Sequence, residues 1–129
     1  MPYVPNELLS RLVGRTLATV VFLKWYLQLT FDGPILTCEA WPTVDLGGGE
    51  IAFGQAGYRD ALCSLLAETV VDTREVTGEG LVIELESGFI RVHPSLDDLE
   101  GPEIAMLSGF EDRAWMVWRP GEDSFEDLT

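Results

Sequence analysis

Residues 81–93 read Leu-Val-Ile-Glu-Leu-Glu-Ser-Gly-Phe-Ile-Arg-Val-His, and this stretch predicts a β-hairpin almost residue by residue. Two runs rich in β-branched and aromatic residues flank Ser87-Gly88. A two-residue loop with glycine indicates a hairpin, because tight hairpin turns need a positive φ that glycine adopts without steric cost. We therefore predict two antiparallel strands joined at Ser87-Gly88.

The pairing of these strands follows from which residues share a face. With Ser87-Gly88 as the loop, Glu84 faces Arg91 as an opposite-charge pair on the polar face. The other face is apolar and consists of Leu85, Ile90, Ile83 and Val92. A three-residue loop over 86–88 would set Ile83 against Arg91 and spoil both faces, so the pattern favours the two-residue loop. Another element must cover the apolar face.

The remaining elements predict an α+β fold with a mostly antiparallel sheet of seven or eight strands. Apolar side chains at helical spacing, from Tyr58 to Leu66, predict one main helix at about 57–68, packed on the sheet. A short helix at 7–13, with Asn6 as its cap, precedes it. The predicted strands are about 17–23, 25–31, 35–41, 70–76, the two of the 81–93 hairpin, 103–110 and 114–119. We find no internal repeat.

Charge is the unusual property of this chain of 129 residues, which has 22 acidic and 8 basic residues and a formal net charge of −14. Ten of the acidic residues lie between positions 97 and 129, beside only Arg113 and Arg119 as basic residues. Such a field repels nucleic acid and anionic lipid and attracts basic proteins. A simpler explanation is that acidic surfaces keep proteins soluble.

The length and the cysteine content predict one cytoplasmic domain over 1–129, with an acidic tail from about 121. Cys38 and Cys63 are too few for a disulfide framework, which favours a reducing compartment. The first residues lack the basic start and apolar core of a signal peptide. The longest apolar stretch, 17–23, is far shorter than the roughly 20 residues of a membrane-spanning helix.

Candidate catalytic groups are few. His93 is the only histidine, and it could pair with Ser95, Cys38 or Cys63, but no nucleophile motif surrounds any of them. Cysteine and histidine at metal-ligand spacing are absent, and 47–49 is a triple glycine without the lysine of a phosphate-binding loop. We therefore predict no catalytic residue, no metal and no cofactor.

The four tryptophans are the remaining candidates, because tryptophan is enriched at binding hot spots. The strand 114–119 is apolar on both faces, with Trp115 and Trp118 on opposite sides. We predict that Trp25 lies in the core and that Trp118 anchors a partner. The acidic residues of the partner surface are predicted to be Asp97, Asp98, Glu100, Glu122 and Asp123.

A resemblance comes from the two ends of the chain. The C-terminal run from Pro102 to Leu128 and the alternating Tyr-Leu-Gln-Leu-Thr-Phe-Asp-Gly at 26–33 resemble small acidic proteins of unknown function from actinobacteria. That family implies no activity and no site residues. In size, charge and fold class the chain is also loosely similar to immunity proteins of bacterial toxin systems.

Together these observations predict a non-catalytic, acidic protein-binding module, with an immunity-like inhibitor of a basic toxin or nuclease domain as its concrete form. The expected partner is a basic protein, not nucleic acid or a membrane. An alternative is a small-ligand-binding domain or minor enzyme with a pocket near His93 and Tyr58. A homodimer, formed through an edge strand or through the strand of Trp115 and Trp118, is a third expectation.

Overall fold

Across residues 3–128, the computed structural model contains ten β-strands, one α-helix and three short 3₁₀ segments. The strands are β1 Thr19–Phe22, β2 Leu27–Thr30, β3 Ile35–Cys38, β4 Thr43–Asp45, β5 Glu50–Ile51, β6 Val70–Val76, β7 Gly80–Leu85, β8 Phe89–Val92, β9 Ala105–Ser108 and β10 Met116–Trp118. The helix α1 is Tyr58–Ser64, and the 3₁₀ segments are Leu9–Leu12, Leu96–Asp98 and Asp123–Leu128.

The strands form two antiparallel sheets of five strands each, in the orders β1-β2-β3-β9-β10 and β5-β4-β8-β7-β6. The α+β class is confirmed, but the prediction of a single sheet with seven or eight strands is wrong. Strands β4 and β5 have three and two residues, too few to show an alternating pattern. Moreover, β4 lies in a different sheet from β3, and β9 lies in a different sheet from β8. A prediction that pairs consecutive strands with each other misses such a crossing.

The hairpin of β7 and β8 exists, but its register differs from the prediction by two residues. Ile83 faces Ile90 and Glu84 faces Phe89, and Leu85 N donates to Gly88 O at 2.8 Å, so the loop is Glu86-Ser87. A shift of two keeps every side chain on its predicted face, which is why the apolar face is buried as expected.

Gly88 is required for a different reason from the predicted one. Its φ is not positive, whereas a Cβ at this position would collide with the carbonyl oxygen of Asp45 at the end of β4. The predicted Glu84–Arg91 pair is also replaced. Arg91 binds Glu50 at 3.0 Å, and Glu84 lies 3.6 Å from Arg74.

The chain contains an internal repeat, contrary to the prediction. In the first sheet Thr19 faces Thr30, and in the second sheet Asp72 faces Glu84. The residue numbers of the second pair exceed those of the first pair by 53 and 54. The next pairing agrees, because Leu27 faces Cys38 and Leu81 faces Val92. The three-stranded units β1–β3 and β6–β8 therefore share one register.

The two repeats meet around a pseudo-twofold axis at the bridge between Thr16 and Thr69. Gly14 N donates to Val70 O at 2.8 Å, and its counterpart Ala67 N donates to Leu17 O at the same distance. Each repeat then passes its fourth and fifth strands to the other sheet, so β4 pairs with β8 and β9 pairs with β3. Buried side chains from both sheets form one core.

The helical segments are shorter than predicted. The helix α1 ends at Ser64, and Ala67 has a φ of 71°, which a continuing helix does not allow. The predicted helix 7–13 is a 3₁₀ segment, Leu9–Leu12, and Asn6 does not cap it, because its side chain exchanges hydrogen bonds with Thr73. None of the helices within residues 3–128 has the length and apolar character that crossing a membrane requires.

Two further expectations concern single side chains and the tail. Trp25 is 61% exposed and lies outside the core, because it occupies the turn between β1 and β2 rather than a strand position. The acidic tail folds back onto the protein over Asp123–Leu128. Phe125 and Leu128 in this segment are buried.

Candidate functional site

A groove of about 320 Å³ opens where β4 and β8 meet the connection that follows β8. We call it the β4–β8 groove. It brings together four residues that the sequence singled out, namely His93, Asp97, Asp98 and Glu100. The other lining residues are Trp41, Thr43, Ala52, Phe53, Arg91 and Pro94.

One wall of the groove is aromatic. The rings of Trp41 and Phe53 stack with their centroids 4.1 Å apart and an angle of 16° between their planes. Phe53 is 50% exposed, so this wall faces solvent.

The repeat shows that this wall corresponds to a buried pair in the other sheet. Val44 in β4 and Leu107 in β9 occupy equivalent ladder positions. Trp41 therefore corresponds to Ile104, and Phe53, two residues after β5, corresponds to Trp118. Ile104 and Trp118 are fully buried. One surface of the fold is thus covered in one repeat and open in the other.

The floor of the groove carries two basic side chains with partners of their own. Arg91 donates to Glu50 Oε1 at 3.0 Å and to the carbonyl oxygen of Glu79 at 3.1 Å. His93 Nε2 lies 3.2 Å from Asp127 Oδ2, without hydrogen-bond alignment, and its ring packs on Phe125. The charge of Arg91 is therefore largely neutralised by Glu50.

One buried polar atom in the groove has no protein partner among the described residues. The hydroxyl oxygen of Thr43 is shielded from solvent and makes no hydrogen bond within residues 3–128. Buried hydroxyls normally find a partner, so this atom is available to a bound group.

The rim of the groove is acidic and belongs to the connection over 93–104. Asp97, Asp98 and Glu100 are all exposed there. Asp98 Oδ2 accepts hydrogen bonds from Ser95 N at 3.0 Å and from Ser95 Oγ at 2.9 Å, which fixes the first turn of the connection. With Arg91 neutralised by Glu50, these three carboxylates dominate the charge that an incoming group meets.

A second groove of about 330 Å³ shares Glu100 with the first. It also contains Trp25, Glu39 and Glu103, and Lys24 Nζ lies 4.9 Å from the Trp25 ring centroid. The acidic connection is thus flanked by exposed aromatic rings on both sides.

The remaining predicted partner residues lie elsewhere. Trp118 is 1% exposed and donates from Nε1 to Glu75 Oε2 at 2.9 Å, so it belongs to the core. The prediction that Trp118 anchors a partner at the surface is therefore wrong. Its neighbour Trp115 is 66% exposed instead and lines a hollow with Tyr3 and Val4.

Glu122 and Asp123 stand at the start of the C-terminal 3₁₀ segment and line neither of the two grooves beside the acidic connection. The carbonyl oxygen of Asp123 accepts a hydrogen bond from Thr77 Oγ1 at 3.2 Å. Of the acidic residues predicted to meet a partner, the structure brings together Asp97, Asp98 and Glu100 and leaves these two apart.

The predicted pocket near His93 and Tyr58 is divided. Tyr58 lines an adjoining hollow of about 410 Å³ that contains Phe53 but not His93. The Tyr58 hydroxyl donates to Pro42 O at 2.6 Å, and burial, followed by the nearby Cys38, raises the pKa of this hydroxyl above its usual range. Tyr58 therefore supports the wall from behind, where it packs edge-on against Phe53.

The arrangement of nucleophiles does not favour catalysis. Burial raises the pKa of the Cys38 thiol to about 12, so it stays protonated at neutral pH. Ser95 Oγ is bonded to Asp98 rather than to a base. Within residues 3–128, no cluster of three or more histidine, cysteine, aspartate or glutamate side chains is placed to hold a metal ion.

Comparisons with protein-family models, with curated proteins and with solved structures gave no match. The resemblance to small acidic actinobacterial proteins therefore stays a prediction. The sequence reasoning missed Trp41, Thr43, Phe53 and Arg91 as groove residues. The structural repeat identifies Trp41 and Phe53, because it aligns them with the buried pair Ile104 and Trp118.

Proposed function

We propose that this protein is a non-catalytic binding module whose β4–β8 groove and acidic connection hold a basic segment of another protein. The observation that carries the proposal is the length of the connection between β8 and β9. Residues 39–42 suffice for the equivalent crossing from β3 to β4, whereas the crossing from β8 to β9 uses residues 93–104. The fold does not require this extra length.

The extra residues contain the acidic rim. Long connections that a fold does not need are usually functional, since binding residues concentrate on loops held by a rigid scaffold. The strands on either side fix both ends of this connection, and the Ser95–Asp98 hydrogen bonds order its first turn. The exposed rings of Trp25 and Phe53 add apolar area beside the charge, as in interfaces with an apolar centre and a polar rim.

The concrete form that we propose is an immunity-like inhibitor of a basic toxin or nuclease domain. Nucleases carry basic clefts because they bind polyanions, and an acidic surface can occupy such a cleft and be steered to it over long range. The partner would then be a basic protein, and association would weaken as salt screens the attraction.

The test is affinity capture from the native lysate with the tagged protein and two charge variants. Asp97→Lys with Glu100→Lys reverses charge at the groove. Asp72→Lys with Glu86→Lys makes the same change in net charge at exposed positions on β6 and in the loop between β7 and β8. We expect a basic protein bound by the wild type and the control variant, lost from the groove variant, and released at roughly 0.5 M salt. Equal capture by both variants would contradict the proposal.

A small polar ligand in the same groove is the second candidate function. The Thr43 hydroxyl oxygen is shielded from solvent and has no hydrogen bond in the described part of the chain, which favours a bound group that supplies one. A thermal-shift screen of metabolites against the wild type and Thr43→Val checks this. A compound that stabilises the wild type but not Thr43→Val is the expected outcome.

A further inference from the structure

We infer that the β4–β8 groove receives a single arginine side chain of the basic partner, with its guanidinium stacked on the Trp41–Phe53 wall. This inference rests on the proposed function and names the group that the groove recognises. A volume of about 320 Å³ is small for a helix or a strand but admits one long side chain of a protein partner.

The wall has the shape and the electronic character that a planar cation prefers. Arginine stacks on aromatic faces through both cation–π attraction and flat contact. Among residues 3–128, basic side chains lie over three other rings, with Arg11 and Arg15 over Phe110, Lys24 over Trp25 and Arg59 over Phe22. Within residues 3–128, no cation–π contact of the chain's own involves the Trp41–Phe53 pair, so that wall is open to a cation from outside.

The polar groups around the wall match a guanidinium better than an ammonium. A guanidinium has five N–H donors in a rigid fork, whereas an ammonium has three donors on one atom. The Asp97 and Glu100 carboxylates line the groove beside the wall. A guanidinium can bind a carboxylate through two parallel N–H donors, whereas an ammonium binds it as a point charge.

Arg91 does not strongly repel an arginine in the groove, because its own guanidinium is already paired. Glu50 binds its guanidinium at 3.0 Å, and the carbonyl oxygen of Glu79 accepts its Nε–H at 3.1 Å. Three rim carboxylates then meet the incoming cation, and the groove keeps a negative local charge.

The test uses the full chain labelled with ¹⁵N and reads the four indole N–H signals, assigned by single substitutions. The probes are three capped tripeptides, acetyl-Gly-Xaa-Gly-amide, with arginine, lysine or the neutral isostere citrulline as Xaa. We expect the arginine peptide to give a saturable shift of the Trp41 signal, with an affinity about fivefold above that of the lysine peptide. The citrulline peptide should give no saturable shift.

A pair of variants controls for the place of binding. Phe53→Leu removes half of the wall at a half-exposed position and should weaken arginine binding roughly fivefold. Trp115→Leu removes an exposed ring that lines neither groove beside the acidic connection, and it should leave arginine binding unchanged. Equal affinity for lysine and arginine, or a shift at Trp25 in place of Trp41, would overturn the inference.

Failure of this inference is distinguishable from failure of the proposed function. If partner capture depends on Asp97 and Glu100 but the arginine peptide leaves Trp41 unshifted, the arginine inference is wrong and the proposed function stands. If the peptide binds but capture does not depend on the rim charges, the groove binds arginine without mediating the proposed protein contact.

Discussion

The two repeats of this protein share a backbone plan and differ in almost everything that their surfaces carry. Their first three strands pair in the same register, and each passes two strands to the other sheet. Residues 1–56 hold 5 acidic and 3 basic residues, whereas residues 57–129 hold 17 acidic and 5 basic residues. Since the first repeat builds the same pairing with little net charge, the acidity of the second is not a requirement of the fold.

The sharpest contrast lies at Phe22 and Glu75, which occupy equivalent positions. Phe22 is partly exposed, with the guanidinium of Arg59 over its ring. Glu75 is 5% exposed, and its carboxylate accepts hydrogen bonds from Asn6 N at 2.9 Å, Trp118 Nε1 at 2.9 Å and Ser124 Oγ at 3.1 Å. The first repeat therefore has an aromatic ring at this position. The second repeat has a buried carboxylate, which joins three separate segments of the chain.

The largest expected effect tests the point where the repeats cross. Gly88 corresponds to Pro34, but a Cβ at position 88 would collide with the Asp45 carbonyl oxygen, which the first repeat contributes. Gly88→Ala should therefore lower the free energy of unfolding by roughly 2–4 kcal/mol, measured by urea denaturation. Gly48→Ala is the control, since its Cβ would meet nothing within 4 Å and its φ is not positive. Similar losses in the two variants would refute the close approach.

The next effect separates Glu75 from an ordinary surface acid. Glu75→Gln replaces one acceptor oxygen by a donor that faces the N–H and O–H groups of its partners, which should cost about 1–3 kcal/mol. Glu84→Gln makes the same chemical change beside Arg74, where both side chains are well exposed, and should cost at most about 0.5 kcal/mol. Urea denaturation of both variants decides, and equal losses would mean that the buried bonds contribute little.

A smaller effect on stability is expected from making the connection between β8 and β9 as short as the connection between β3 and β4. Deleting residues 94–101 shortens the connection to four residues, the length of 39–42, and removes the acidic rim but keeps the buried Ile104 and every strand. We expect the free energy of unfolding to fall by roughly 1 kcal/mol, chiefly from the partly buried Leu99, because loop closure depends only weakly on length. Partner capture should be lost. A shortened chain that does not fold would show that the connection has a structural role.

The smallest effect concerns the two cysteines and leaves stability untouched. Cys38 is buried in β3 with its pKa raised to about 12 by burial, whereas Cys63 is exposed on α1. A thiol reagent at pH 8 should modify one cysteine in the native protein and both after denaturation, because the thiolate is the reactive form. Mass spectrometry locates the label, and rapid labelling of Cys38 would contradict its burial.

The sequence predicted the faces of its strands better than their partners. Alternation placed Leu81, Ile83 and Leu85 on the buried side correctly, since a two-residue shift in register leaves parity unchanged. It did not predict the two sheets, because strand exchange depends on contacts between residues far apart in sequence, such as Leu36 and Leu107. Just three residues are identical across the aligned positions 12–22 and 27–39, which hides the repeat.

The candidate site was predicted in part for a similar reason. Local composition indicated Asp97, Asp98 and Glu100, which form one continuous segment. Whether a tryptophan is buried depends on what covers it, and the C-terminal segment packs against the strand of Trp118 while Trp115 stays outside. Trp41 and Phe53 lie on either side of β4 and β5, two strands too short to be predicted.

The exchange of strands also constrains how the chain is made. During synthesis, residues 1–56 emerge first and hold three strands of one sheet and two of the other, so neither sheet can close. Ile35 pairs with Ser108 and Val44 pairs with Ile90, so neither pairing can form until the later residue has been synthesised. Pairings between such distant residues form late and slowly, and unpaired edges invite association with other chains in the meantime. Completion of the fold therefore depends on the last third of the polypeptide, and release of a truncated chain would leave open β-edges.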